Sequence, residues 1–331
     1  MSLDILREVP SFLYRQLFTT PPTPTKDCTG KTIIVTGANV GLGKEAARHF
    51  VQLNAQKVII ACRSIEKGES AKEDIEASTG RKGVVEVWQL DLQSYDSVRA
   101  FAKRAESLDR LDILLENAGI STAKYVEVPG TGMESTIVVN VVATFLLALL
   151  MIPAMQKTSK KHNTIPTLTI VSSEVHFFTS FPERKASSIF ATLSSKHEAR
   201  MADRYNVSKM LEVLTCREIA KEHPVSQTNV TLNFVNPGFC HSELMRDMMN
   251  PILVVIKKIL CRTTEVGSRT LVHAALSGPE SHGKYHSDSQ IAECARLVEG
   301  PEGPEMQRRV WGELSSILEN IEPGVTKVLD N

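Results

Sequence analysis

The sequence predicts an α/β fold: one doubly wound domain, a parallel sheet of about seven strands with helices on both faces. Three observations carry the prediction. Short β-branched runs alternate with amphipathic stretches from residue 32 onward. Those runs are apolar throughout, as strands buried on both faces are. Polar and glycine-bearing motifs follow the ends of the runs, along the edge where open parallel sheets bind ligands.

The elements follow in order. Residues 32–35 form a strand that runs into Thr36-Gly37-Ala38-Asn39-Val40-Gly41-Leu42-Gly43, and 42–53 have helical periodicity. A second strand at 58–61 precedes a charged helix at 65–78. A third, 84–90, stops at Asp91 and is followed by a helix at 94–107. A fourth, 111–115, stops at Asn117-Ala118-Gly119. A long helix at 133–155 contains the most apolar run, 137–152. That run is shorter than the ~20 residues a bilayer span needs, carries Asn140 and ends at Pro153, so it reads as a buried helix. Strand 167–171 ends at Ser172-Ser173, helix 204–222 follows, and strand 229–235 ends at Asn236-Pro237-Gly238. A last helix is expected at about 304–321.

Composition bounds the function. The 331 residues are 42% hydrophobic and 23% charged with no formal net charge, which suits one large domain and leaves no basic excess to bind nucleic acid. The six cysteines include no CxxC pair and read as free thiols in a reducing compartment, so a cytoplasmic location is expected. No histidine or cysteine cluster has metal-ligand spacing, and no metal is expected. Residues 1–30 form an N-terminal extension without a signal-peptide pattern, broken from the domain at 31–331 by Pro21-Pro22-Thr23-Pro24. Residues 3–18 read as an amphipathic helix that lies either on the fold or on a membrane; only two basic residues favour the membrane. Residues 242–264 read either as a lid over an apolar substrate or as an ordinary core helix.

Tyr205 and Lys209 carry the chemistry. At i and i+4 they share one helix face. An ammonium near a phenol favours phenolate, which would make the tyrosine an acid and base far below its free pKa of about 10. Gly37, Gly41 and Gly43 allow a tight turn and close approach of a pyrophosphate to a helix N-terminus. The second strand ends Ala61-Cys62-Arg63-Ser64 with no acid for a ribose hydroxyl. Arg63 either pairs with a 2′-phosphate, which favours NADP, or is a solvated charge. Asp91, with Leu92 beside it, either reaches the adenine or opens the helix that starts near Ser94.

In this order the turn at 36–43, Asp91-Leu92, Asn117-Ala118-Gly119, Asn140, Ser173, Tyr205-x-x-x-Lys209 and Pro237-Gly238 resemble the short-chain dehydrogenase/reductase family over roughly residues 30–240. The Ala-Cys-Arg after the second strand and the long insert before Tyr205 resemble its retinol-dehydrogenase-like branch, and the two ends of the chain resemble filamentous-fungal members, many from secondary metabolism. The resemblance implies a Rossmann fold and hydride transfer between NADPH and an apolar carbonyl or alcohol. It implies Tyr205 as proton donor or acceptor, Lys209 on the nicotinamide ribose, Ser173 on the substrate oxygen and Asn140 holding a water in a proton relay. It places the cofactor against Gly37, Asn39, Gly41, Leu42, Gly43, Arg63, Asp91, Leu92, Asn117, Ala118, Gly119, Tyr205, Lys209, Pro237, Gly238 and Ser242. Three departures stand out. Glu116 replaces an asparagine common in the family, Ser242 a threonine, and Ser173 precedes Tyr205 by 32 positions where many members are closer. A non-catalytic dinucleotide-binding scaffold is the alternative function, and a homodimer is left open by the apolar helix surfaces.

Overall fold

The computed structural model describes residues 3–241 and 260–330. At its centre is one sheet whose order is β3-β2-β1-β4-β7-β8-β9-β10. The strands are β1 (Thr32–Thr36), β2 (Lys57–Cys62), β3 (Val85–Gln89), β4 (Ile113–Glu116), β7 (Thr167–Val171), β8 (Thr231–Asn236), β9 (Tyr285–Ser287) and β10 (Gln290–Ala292). Seven strands run parallel, as expected. The sequence reading placed six strands of this sheet and missed β9 and β10, the second of which closes the edge antiparallel to the first. Two short strands, β5 (Glu127–Val128) and β6 (Met133–Glu134), form a separate ribbon.

Chain direction across the sheet reverses at β1, with β2 and β3 on one side and β4 on the other. This is a topological switch point, and the crevice above it is where such sheets take ligands.

Side-chain alternation builds the two layers. Ile33 and Val35 point into a core with Ala46, Ala47 and Phe50 of α2 (Gly41–Gln52), Ile75 of α3 (Ile65–Thr79) and Leu271 of α8 (Thr264–Ala275). Ile34 points to the other side, with Val98 and Phe101 of α4 (Tyr95–Ala105), Leu146 of α5 (Ser135–His162), Leu211 and Leu214 of α7 (Met201–Glu222) and Leu314 of α9 (Gly303–Ile321). Each such aliphatic side chain contributes roughly 1.5–3 kcal/mol by leaving water. Both faces being covered explains why the strand sequences do not alternate.

Helix α5, with Pro153 inside it, runs past its expected end at 155 and stops at Asn163, which takes a left-handed conformation with φ 48°. One missing backbone hydrogen bond does not break a helix whose flanks, from Phe145 to Met155, are held in the core. Helix α5 is apolar enough to cross a membrane by length and composition, yet 83% of its most apolar window is buried inside the fold.

The insert between β7 and α7 folds as two 3-10 turns, Glu174–Phe178 and Pro182–Lys185, and a short helix α6, Ile189–Ser194. Helix α1 (Leu3–Phe18) lies across the ends of the strands. Its Gln16 Nε2 donates to Phe239 O at 2.7 Å and Leu260 O at 2.6 Å, and its Oε1 accepts from Phe239 N at 3.1 Å. Phe12 packs edge-on against Phe178 and Phe239. Tyr14, Leu17 and Phe18 stay on the exposed face. The expected helix over 304–321 is α9. Of the segment 242–264, residues 242–259 lie outside the described residues, and Thr264 already belongs to α8.

Candidate active site

Burial changes abruptly at the carboxyl ends of the strands. Thr36, Glu116 and Val171 are buried, whereas Gly37, Asn117 and Ser173 are partly open. The strand ends therefore line a groove above the switch point.

The glycine turn forms one side. Gly37 and Gly41 have φ of +65° and +61°, which only glycine adopts without strain. A β-carbon on Gly43 would lie 2.5 Å from Asn117 Nδ2 and 2.7 Å from Gly37 O, so this glycine lets α2 close onto the turn. A β-carbon on Gly41 would meet nothing within 4 Å. Val40 precedes α2 without capping its N–H groups by a side chain. An open glycine beside an uncapped helix N-terminus fits a pyrophosphate. Asn39 and Leu42 share this rim; Leu42 also packs on Gly267.

Asn117-Ala118-Gly119 braces the turn. Asn117 Nδ2 donates to Thr36 O at 2.9 Å and Gly37 O at 3.3 Å. The backbone N–H groups of Asn117 and Ala118 both donate to Thr36 Oγ1 at 3.0 Å. Thr36, which the sequence reading did not single out, thus locks β1 to β4.

Arg63 is exposed just past β2, beside Ser64, which caps α3 by accepting from Lys67 N. Asp91 does not cap α4. Ser94 does, accepting from Ser97 N at 3.2 Å, while Asp91 accepts from Gln93 N at 3.0 Å in a tight local turn. Leu92 is buried beside it. Pro237 is buried, and Gly238 turns with φ +81° and donates its N–H to Asn236 Oδ1 at 3.0 Å. The same oxygen accepts from Glu174 N at 3.1 Å. Asn236, also missed from sequence, ties the Ser173 loop to this turn. Ser242 lies outside the described residues.

Asn140 sits in a π-helical turn of α5, Val138–Ala143, a geometry frequent at functional sites. Its Oδ1 accepts from Ile120 N at 2.8 Å; its Nδ2 donates to Ile120 O at 2.9 Å and Ser208 Oγ at 3.0 Å. Both N–H groups of the buried amide are thereby used, while Oδ1 keeps one lone pair, and the side chain joins α5, the Gly119 loop and α7.

Tyr205 and Lys209 face this point from α7, with Lys209 Nζ 5.7 Å from the Tyr205 ring centre. A β-carbon on Gly119 would lie 3.8 Å from Nζ and 3.3 Å from Asn140 Oδ1, so glycine leaves that gap open. Ser173 is close enough to hydrogen-bond the Tyr205 phenol. Four side chains from three elements therefore converge despite the 32 positions between Ser173 and Tyr205.

The electrostatics correct one expectation. Burial holds the Tyr205 phenol above its usual range; Lys209 and the Ser173 hydroxyl pull it down, and Glu212 pushes it up. The lysine alone does not make phenolate the resting form. Burial works against the Lys209 ammonium, yet Glu212 and Tyr205 raise it on balance. Lys209 Nζ donates to Glu212 Oε1 at 2.8 Å and Val171 O at 2.9 Å.

The two histidines flanking the strand ends differ. His241 is exposed. His176 is fully buried: its Nδ1 lies 2.7 Å from Ser173 O, and its Nε2 accepts from Ala295 N at 3.2 Å. That acceptor role places the proton on Nδ1, which donates to Ser173 O.

Residues 31–178 match the family model described as short chain dehydrogenase. The short chain dehydrogenase/reductase dmxR8 of Cryptosporiopsis sp. is 52% identical over 321 residues, covering 95% of this chain and 98% of that protein. The short-chain dehydrogenase anuD of Penicillium roqueforti is 43% identical, covering 96% and 85%. Among solved structures, an uncharacterised protein from Mycobacterium paratuberculosis aligns with TM-score 0.66 and 25% identity over 91% of this chain and 98% of that one. A gluconate 5-dehydrogenase-like protein of Beutenbergia cavernae, solved with bound NADP, aligns with TM-score 0.58 at 18% identity over 79% and 96% and shares the fold. Near-full-length identity to these relatives, on a parallel sheet with Ser173, Tyr205 and Lys209 gathered at its switch point, makes the chain a member of the short-chain dehydrogenase/reductase family of oxidoreductases.

Proposed function

We propose that the protein is an NADP(H)-dependent oxidoreductase that interconverts a carbonyl and an alcohol on an apolar small molecule of fungal secondary metabolism. The convergence of Asn140, Ser173, Tyr205 and Lys209 beside the glycine turn carries this reading. When bound, the nicotinamide cofactor supplies or accepts hydride. Tyr205 gives a proton to the substrate oxygen in reduction and takes it back in oxidation. Ser173 hydrogen-bonds the same oxygen and holds it against the phenol. Lys209 holds the nicotinamide ribose with an N–H left over from Glu212 and Val171. Asn140 orients the groove and holds the water through which Tyr205 is reprotonated.

Several observations support the finer points. Arg63 is exposed where a 2′-phosphate would lie, and no acid stands at that strand end. The raised Tyr205 phenol keeps its proton at neutral pH, which suits reduction. Phe12, Phe178 and Phe239 form an aromatic wall between α1 and the loops after β7 and β8, which suits an apolar substrate. The anchored α1 favours a cytoplasmic enzyme over a membrane-attached one.

Titration of the protein with NADPH and with NADH, followed by nicotinamide fluorescence, tests the cofactor. Tighter NADPH binding is expected; tighter NADH binding overturns the Arg63 assignment. Tyr205→Phe tests the chemistry: turnover of a broad carbonyl probe such as phenanthrenequinone should vanish while NADPH still binds. Unchanged turnover removes Tyr205 from the reaction.

A further inference from the structure

Glu212 lies one turn beyond Lys209 on α7 and is 2% exposed. Its Oε1 takes one N–H of the Lys209 ammonium and Val171 O takes another. One N–H remains, and Gly119 and Asn140 border it. Behind Glu212, from the end of β4, stands Glu116, 3% exposed; neither of its oxygens has a hydrogen-bond partner among the described residues. Ser172 comes from the end of β7, and Cys216 lies a further turn along α7 with Cys294 facing it.

Lys209 is the one cation among these groups, and two carboxylates cannot both ionise beside it out of water. Geometry decides which does. The ammonium is 2.8 Å from Glu212, and among the described residues no cation is paired with Glu116. Glu116 keeps its proton, and the charge resides on Glu212. The same order follows from burial: it pushes Glu212 up to about 7 against the pull of Lys209, and it pushes Glu116 well above the usual carboxylate range, with the Glu212 charge adding to it.

We propose that Glu212 is a positioning residue for Lys209: it fixes the ammonium, offsets its charge at Tyr205, and so favours the phenol as the proton donor of a carbonyl reduction. The inference rests on the functional reading above. The asparagine-to-glutamate departure at Glu116 then stands as a second buried carboxyl, kept protonated by burial and by the charge of Glu212.

The test is the pH profile of NADPH-dependent phenanthrenequinone reduction. Glu212→Gln leaves the ammonium unopposed, so the alkaline limb of kcat/KM moves to lower pH by about one unit. Glu212→Asp draws the charge back by one methylene, and the limb moves the same way by less. Glu116→Gln removes no charge and leaves the limb in place. A Glu212→Gln enzyme that loses activity equally at every pH, with an unmoved limb, overturns the proposal. Should Glu212→Gln not fold, Glu212→Asp carries the test: an alkaline limb below that of the wild type supports the proposal, and an unmoved limb overturns it. If Tyr205→Phe itself keeps its turnover, the functional reading fails; if Tyr205→Phe is inactive and the limb stays, only the Glu212 assignment fails.

Discussion

Two glycines of the same turn should fail differently when given a methyl group. At Gly43 the added β-carbon would lie 2.5 Å from Asn117 Nδ2, 2.7 Å from Gly37 O and 3.1 Å from Ala38 Cα. Two of these neighbours are backbone and cannot swing aside. Moving them breaks the Asn117 bonds to Thr36 O and Gly37 O. Overpacking of this kind costs about 1–3 kcal/mol, and each lost hydrogen bond about 1 kcal/mol, so Gly43→Ala should lose roughly 3–5 kcal/mol of stability. At Gly41 the β-carbon meets nothing, and the cost is the left-handed conformation alone, about 1–2 kcal/mol. Yet its methyl points into the open groove beside the uncapped N-terminus of α2. Gly41→Ala should therefore melt only slightly early while binding NADPH at least about tenfold more weakly, a difference of about 1.4 kcal/mol. Gly43→Ala should melt much earlier. Circular dichroism melts and fluorescence titrations separate the two. A Gly41→Ala protein with wild-type NADPH affinity would refute the placement of the cofactor, and a Gly43→Ala protein with wild-type stability would refute the packing of the turn.

Further outcomes follow from two side chains that hold loops in place. His176→Ala leaves Ser173 O and Ala295 N without their partner, at about 1–3 kcal/mol each, and should lower the denaturation midpoint accordingly. Burial holds the His176 imidazole down at about 4 against a usual 6.5, so its contribution is complete above pH 6.5 and is lost as pH falls toward 4. The wild type should lose up to about 3 kcal/mol through this group over that window, and His176→Ala should flatten the decline; an equal slope in both proteins speaks against the buried neutral imidazole. Glu313 of α9 accepts from Ser188 Oγ, Ile189 N and Phe190 N, each at 3.0 Å. Glu313→Ala should loosen the insert, speeding its proteolysis between residues 180 and 200 while NADPH affinity holds; an unchanged digestion pattern removes Glu313 as its staple.

The strands, the glycine turn and the Tyr205–Lys209 pair were legible because each rests on local chemistry. A β-branched run, a glycine at positive φ or an i, i+4 pair is written in neighbouring residues. The features that were not legible depend on distant partners. Strand β10 has three residues, and its pairing with β9 decides it. Pro153 lies inside α5, and the tertiary core carries the helix past the expected end at 155. Glu212 looks like a solvated helix residue until β4 brings Glu116 behind it, and Asn236 looks like a turn residue until its carbonyl oxygen is found holding two loops. The balance of effects on the Tyr205 phenol was hidden for the same reason. Lys209 was visible in sequence, whereas burial and the opposing carboxylate were not.

The long separation of Ser173 from Tyr205 is resolved by a neck. Thr179 Oγ1 donates to Asp203 Oδ2 at 2.6 Å, which closes the insert at its base. Just past it, Arg204 is buried against Glu134 of β6, and Tyr125 Oη donates to Ser194 O at 2.5 Å, so the ribbon side is fastened as well. Ser173 lies six residues before the neck and Tyr205 two residues after it. Their geometry is set by those short arms and by Asn236 and His176, which hold the Ser173 loop from behind. Residues 180–202 can therefore vary in length at little cost, since closure entropy grows only slowly with loop size. The insert itself is held elsewhere: Arg309 donates to Arg184 O at 2.6 Å and Ala186 O at 2.7 Å, so its position follows α9 rather than Ser173 and Tyr205. The Ser173–Tyr205 geometry and the position of residues 180–202 are in this way carried by separate anchors, one in the sheet and α7, the other in α9.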